Sequence, residues 1–233
     1  MHDLEQTQIN YILGFKNTIV KTTLRIRFFH AMIENNSRNG NDRDLFFREE
    51  EDLGRYNQMK LLIVIDMQND FIDGSLGTPE AEAIVDNVVA KINTYTKDCV
   101  YATRDTHQDN YLQTQEGENL PIVHCIEGTY GWQLNEKVQA ALGSAVVMNK
   151  PSFGSWELAD MMVMEFAGLP AEECEIEIIG LCTDICVVSN ALILKARLPE
   201  VKISVDASCC AGVKPESHAA ALQTMQMCQI HVR

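Results

Sequence analysis

The chain has 233 residues, 46% hydrophobic and 22% charged, with a formal net charge of −14. This size and composition suit one medium domain that buries a sizeable core without staples, and the acidic balance excludes nucleic acid and an anionic membrane surface, which need clustered Lys and Arg. Eight cysteines in a chain this long do not make a secreted disulfide scaffold; with no secretory leader pattern and no apolar run of membrane-spanning length, the expectation is a cytoplasmic protein with free thiols.

Composition changes near Met59. Upstream, residues 6–15 and 18–34 read as two short helices, followed by a polar, charge-dense stretch, NNSRNGNDRDLFFREEEDLGRYNQ, that buries little apolar area. Residues 1–58 are therefore set apart as an N-terminal extension, helical or disordered. Three readings of it compete: an oligomerisation or docking arm, a weak surface-seeking helix, and residues upstream of a true start at Met59.

Residues 59–233 alternate strand and helix. The continuous apolar run at 60–65 is a strand buried on both faces. Residues 78–95 carry helical periodicity (Ala83, Ile84, Val88, Ile92), with Thr78 as N-cap and Pro79 at the first helical position. A strand is expected at 99–103, a helix at 132–142 closed by Gly143, and a strand at 145–148. A helix at 156–167 ends at Gly168, a strand follows at 175–179, and a long apolar helix at 183–198 stops at Pro199. A strand at 201–205, a helix at 215–227 and a strand at 229–232 complete the chain. Repeated β-then-α order predicts a three-layer α/β/α sandwich around a mostly parallel sheet of about six strands. Such sheets bind ligands beyond the carboxyl ends of their strands.

Four strand ends carry chemistry. Asp66 follows the first strand in IDMQNDF. Asp105 and His107 follow the second in TRDTHQDNY, Lys150 the third in MNKPSFGSW, and Cys186 the fourth in GLCTDIC. Alone, each has a bland alternative: an Asp caps a turn, a Lys is solvated, a Cys packs. Together they form a nucleophile–base–cation group suited to acyl transfer. Cys186 falls near the amino end of a helix, where the dipole and a nearby Lys favour a thiolate and a lowered pKa. A carboxylate takes the thiol proton and returns it to a leaving amine. Backbone N–H groups in the turn 181–186 are placed to form an oxyanion hole.

The motifs DMQNDF, RDTH, PIVHC with EGT, NKPSFGS and GLCTDIC, in this order, resemble the isochorismatase-like cysteine hydrolase superfamily, which includes nicotinamidases. The resemblance spans residues 59–233 and implies the isochorismatase-like hydrolase fold. It implies a triad of Asp66 as general base, Lys150 as thiolate stabiliser and Cys186 as nucleophile. It also implies an oxyanion hole from the N–H groups of Cys182 and Cys186, a non-proline cis peptide between Leu181 and Cys182, and a pocket lined or supported by Gln68 and Phe71. The implied activity is hydrolysis of a small amide through a thioester. Vinyl-ether cleavage and a catalytically silent binding module on the same fold are the alternatives, and homo-oligomers are frequent in the family.

Nicotinamidases of this superfamily hold a divalent metal through an Asp and several His. Asp105, His107 and His124 match three such positions for zinc, manganese or iron, while Tyr111 takes the place of a further His, and a neutral phenol is a poor ligand. The alternative is a hydrogen-bonded loop without metal. Pro121 stands where nicotinamidases usually have Trp, so an aromatic wall must come from Phe71, Phe153 or Trp156. Outside these motifs, Cys209 and Cys210 read as buried packing, His218 as structural, and the EGEN segment in the loop 113–119 as a solvated lid, with contact to substrate as the alternative.

Overall fold

The computed structural model of the protein describes residues 58–233; the readings made for residues 1–57 lie outside them. In chain order the elements are β1 (Met59–Ile65), a single turn α1 (Asn69–Ile72), α2 (Pro79–Ile92), β2 (Val100–Asp105), α3 (Gln115–Asn119), α4 (Glu136–Leu142), β3 (Val146–Lys150), α5 (Trp156–Glu165), β4 (Cys174–Leu181), α6 (Val188–Arg197), β5 (Lys202–Ala211), α7 (Pro215–Met227) and β6 (His231–Val232).

The six strands form one sheet in the order β3-β2-β1-β4-β5-β6. Every neighbouring pair is parallel. β1 is central, with Ile63 opposite Tyr101 of β2 and Ile178 of β4. The chain runs outward from β1 in one direction through β2 and β3, then in the other through β4, β5 and β6. Parallel crossovers are right-handed, so the reversal puts α2 and α4 on one face and α5, α6 and α7 on the other. It also opens a crevice at the carboxyl ends of β1 and β4, the switch point where α/β sheets bind ligands.

On the first face, α2 buries Ala81, Ile84, Val85, Val88 and Ile92. These pack with Leu62, Val64, Ala102, Ile179 and Leu181 of the sheet in one apolar cluster. Each fully buried aliphatic side chain there is worth roughly 1.5–3 kcal/mol. Leu61, Ile63 and Ile65, on alternate positions of β1, are buried toward the second face. Thr78 caps α2 by accepting from the Ala81 N–H, as the sequence predicts.

Three boundaries differ most from expectation. The helix predicted at 132–142 is helical only from Glu136, because the preceding residues pair instead with the turn after β1: Leu134 bridges Gln68, and the Asn135 N–H donates to Met67 O at 2.9 Å. The helix predicted at 183–198 begins with a π-helical turn, Thr183–Val187, and is α-helical only from Val188. β5 continues to Ala211, well past the predicted end, with a register irregularity opposite Ile178 and Gly180. The eight cysteines are free thiols. No helix among the described residues is long and apolar enough to cross a membrane.

Candidate active site

β1 ends at Ile65, and Asp66 takes a positive φ of 46°, a conformation rare for a non-glycine residue. This turns its carboxylate in beneath the sheet edge, where it is fully buried. The Thr103 hydroxyl donates to Asp66 Oδ1 at 2.7 Å. Lys150, from the end of β3, reaches across with Nζ 2.7 Å from Asp66 Oδ2 and 3.5 Å from the Cys186 sulfur. Nζ also donates to Ser152 O at 3.0 Å and stands 3.5 Å from Asp105 Oδ1. The three side chains nominated as a triad thus meet in one place, delivered by three different strands.

β4 makes this possible by lying close against β1. A Cβ on Gly180, which has φ of 118°, would come 2.1 Å from the Ile65 carbonyl oxygen, so only glycine fits. The next peptide, Leu181–Cys182, is cis. The Cys182 carbonyl then accepts from the N–H groups of Ile185 and Val187 at 3.1 and 3.0 Å, closing the wide turn that presents Cys186. Asn190, absent from the sequence-based nominations, locks that turn. Its amide donates to Cys186 O at 2.8 Å and Phe153 O at 3.0 Å, and its oxygen accepts from the Ser155 N–H. An Asn one helical turn after the nucleophile, inside the apolar run VVSNALIL, was the available signal; the structure buries it fully.

The resting thiol is not the ready-made thiolate that the sequence reading expects. Burial, reinforced by the Asp66 carboxylate, pushes the Cys186 thiol well up against the pull of Lys150. The reason is positional: Cys186 sits inside the π turn and enclosed, rather than at the open amino end of α6. Burial also pushes Asp66 up, with Lys150 opposing. Burial works against the Lys150 ammonium, but Asp66, Cys186 and Asp105 outweigh it and raise its pKa. A neutral thiol therefore faces a carboxylate made more basic by its surroundings, with a fixed cation beside both.

Next to this group, Asp105, His107, Glu116 and His124 bring one ligand atom each to within 4.8 Å of one another. His107 Nε2 stands 2.8 Å from Asp105 Oδ2 and 3.6 Å from Glu116 Oε1, and His124 Nε2 is 3.7 Å from each of those oxygens. The Ile122 carbonyl lies 2.8 Å from His124 Nδ1, which leaves Nε2 to face the cluster. Asp105 Oδ1 is buried without a hydrogen-bond partner. Two imidazoles and two carboxylates, with His107 Nε2 also buried without a hydrogen-bond partner, fit a divalent cation such as zinc or manganese. Glu116 completes the set that Tyr111 leaves short. The EGEN segment read as a solvated lid is instead the short helix α3, and burial pushes the Glu116 carboxyl up. Tyr111 is no ligand: its hydroxyl donates to Leu120 O, and burial pushes its pKa up to about 12.

A cavity of about 610 Å³ opens onto both groups, with Cys186, Asp105, Glu116 and His124 in its wall. Phe71 and Phe153 also line it. Gln68 does not; it lies fully buried behind the site, where it exchanges hydrogen bonds with the Asp105 backbone at 2.8 and 2.7 Å and fixes that residue's position. Trp156 does not line the cavity either. It opens α5 with its side chain in solvent, 64% exposed, because the buried face of that helix is set by Leu158, Ala159 and Met162. The pair Cys209 and Cys210 is buried, and His218 Nδ1 lies 2.9 Å from the Thr183 hydroxyl, a structural contact.

The sequence profile of the isochorismatase domain family matches residues 60–233. A nicotinamidase from Saccharomyces cerevisiae is 31% identical over 109 residues, 34% of this chain and 50% of that protein, so the matched region is half the length of that relative. A nicotinamidase/pyrazinamidase from Mycobacterium tuberculosis is 25% identical over 189 residues, covering 75% of this chain and 98% of that one. Among solved structures, the pyrazinamidase of Pyrococcus horikoshii in complex with zinc superposes with a TM-score of 0.60 at 26% identity, covering 75% of this chain and 98% of that one.

Proposed function

The chain belongs to the isochorismatase domain family, and we propose that it is a cysteine-dependent hydrolase of the C–N bond of a small amide, as its nicotinamidase and pyrazinamidase relatives are named for. The observation that carries this reading is the buried Asp66–Lys150–Cys186 group, at 2.7 and 3.5 Å, whose Cys186 lines a cavity that admits a small molecule.

The chemistry follows from the positions. The Cys186 sulfur attacks the amide carbonyl carbon as Asp66 takes its proton; the raised basicity of Asp66 makes it the acceptor, and Lys150 stabilises the thiolate as it forms. The backbone N–H groups of Cys182 and Cys186 receive the negative charge that develops on the carbonyl oxygen. The C–N bond then breaks, Asp66 returns the proton to the departing nitrogen, and ammonia leaves. Asp66 next deprotonates a water that attacks the thioester carbon, releasing the acid and restoring the thiol. Asp105, His107, Glu116 and His124 would hold a divalent cation, which when bound supplies Lewis-acid polarisation and an anchor for a donor atom of the substrate. A thiol held beside a Lys and an Asp favours amide hydrolysis over vinyl-ether cleavage, which has no use for it.

Ammonia release across amides, ureides and carbamates, with and without added zinc, manganese or iron, tests the reading. Cys186→Ala is expected to lower kcat by about 10⁴-fold or more, since loss of a nucleophile removes the covalent route, while the fold survives. Full activity in that variant overturns the assignment. The same reading places the enzyme in the cytoplasm, in keeping with its eight free thiols, and as a homo-oligomer, which sedimentation velocity checks.

A further inference from the structure

The cavity beside Cys186 is larger and more apolar than a single-ring amide requires. Its volume, about 610 Å³, is about twenty water volumes at ~30 Å³ each and lies well inside the range of about 300–1,000 Å³ typical of drug-sized ligands. Away from the triad and the ligand cluster, its wall is built by Leu76, Ala81, Leu120, Ile185, Phe153 and Val213. These come from the segment after α1, from α2, from the end of α3, from the nucleophile turn, from the segment after β3 and from the loop after β5. Apolar surface thus surrounds the space on several sides.

The charges in the wall are also informative. Asp105 and Glu116 are acidic, and no Lys or Arg lines the cavity among the described residues. The nearest cation, Lys150, is fully buried and already engaged by Asp66. A divalent ion held by Asp105 and Glu116 is balanced by their two carboxylates and leaves no surplus positive charge for an anionic substrate.

We propose that the preferred substrate is an uncharged amide whose acyl part carries an apolar extension beyond one ring, held against the Leu76–Ala81–Leu120–Ile185–Val213 wall, and that carboxylate-bearing ureides are disfavoured. This rests on the amide-hydrolase reading above. The reacting bonds are unchanged: the extension occupies the wall while the carboxamide faces Cys186. Each buried methylene is worth about fourfold in affinity or kcat/KM.

The test uses a homologous series from benzamide to 4-propylbenzamide, with nicotinamide as the single-ring reference and N-carbamoylglycine as the anionic ureide. Ammonia release gives kcat/KM for the intact protein, and calorimetry gives Kd for the same compounds on Cys186→Ala, which binds without turnover. The expected result is a gain of at least about tenfold from benzamide to 4-propylbenzamide in either readout, with N-carbamoylglycine weakest. A flat or falling alkyl series, or N-carbamoylglycine as the best ligand, overturns the proposal. Tightening along the series on Cys186→Ala without ammonia release from any amide keeps this inference and sinks the hydrolase reading. Ammonia release from nicotinamide with a flat series does the reverse. Val213→Trp, which fills the wall from the cavity edge, is expected to cut the propyl advantage to below about threefold; an undiminished advantage overturns the placement of the extension.

Discussion

Two clusters of charge lie at opposite ends of the same parallel sheet. At the carboxyl ends, Asp66 and Asp105 share one cation, Lys150, at 2.7 and 3.5 Å, and Asp105 Oδ1 has no hydrogen-bond partner. At the amino ends, Glu175 and Glu177 of β4 and Asp206 of β5 meet Lys60, Lys91, Lys202 and Arg233. There Arg233 donates to Glu175 at 2.6 Å and the Tyr95 hydroxyl to Glu177 at 2.5 Å. Burial works against both glutamates, but Arg233, Lys202 and Lys60 together outweigh it at Glu175, and Tyr95, Lys60 and Lys91 together at Glu177, so both pKa values are lowered. The same fold thus neutralises one cluster fully and leaves the other short of positive charge. A complete network ties strands together. Where one cation serves two acids, burial prevails and raises the basicity of Asp66.

The contrast breaks most sharply at Asp66. Asp66→Asn keeps the volume and one of the two acceptor oxygens that Thr103 and Lys150 engage, but removes the charge and the base. It is expected to lower kcat by about 10²–10⁴-fold, the usual worth of general acid–base catalysis, and to lower the melting midpoint as well, because the fully buried Lys150 is left with Asp105 alone at 3.5 Å. Steady-state ammonia release and thermal melts decide it. A variant that loses stability but keeps its rate reverses the roles assigned to the two ends.

Glu177→Gln is the mirror experiment. It leaves Lys60, Lys91 and Arg233 facing a neutral amide. Breaking a buried pair typically costs 3–5 kcal/mol, but these cations are 24–40% exposed and can rehydrate, so a loss of about 2–3 kcal/mol is expected. kcat/KM should stay near wild type, since the cluster lies at the other end of the strands. A tenfold loss of rate with unchanged urea midpoint would falsify the structural assignment.

The acid limb of stability sharpens the same point. Glu175 and Glu177 have folded pKa values below their unfolded ones, near 4.5. Their contribution is therefore present above pH 4.5 and is lost as pH falls through the folded values. Urea midpoints measured downward from pH 5 should fall, and more shallowly in Glu177→Gln. Equal slopes would mean that other carboxylates set the acid limb.

Why one end was legible in the sequence and the other was not follows from this arrangement. Asp66, Asp105, Lys150 and Cys186 each stand at or just beyond a strand end, and the β-then-α order alone brings such residues together. The network around Glu177 joins Lys91 and Arg233 across 86 and 56 residues of sequence, and nothing in CEIEIIG announces it. Glu116 was missed because its approach to the ligands depends on the single turn α3, capped by Thr114. The Cys186 pKa was misjudged because helix position is visible in sequence whereas complete burial is not.

The smallest effect belongs to Trp156. An aromatic residue shortly after NKPSFGS looks like a pocket wall, but its position at the start of α5 leaves it 64% exposed while Leu158 and Met162 of the same helix are fully buried. A side chain already in water has little hydrophobic stabilisation to lose, and Trp156 does not line the cavity. Trp156→Ser should therefore shift stability by no more than about 0.5 kcal/mol and kcat/KM by less than about twofold. Intrinsic fluorescence, with Trp132 as the remaining indole, confirms the replacement. A larger loss of kcat/KM, confined to the bulkiest amides, would mean that the cavity wall extends across the start of α5 when substrate is bound.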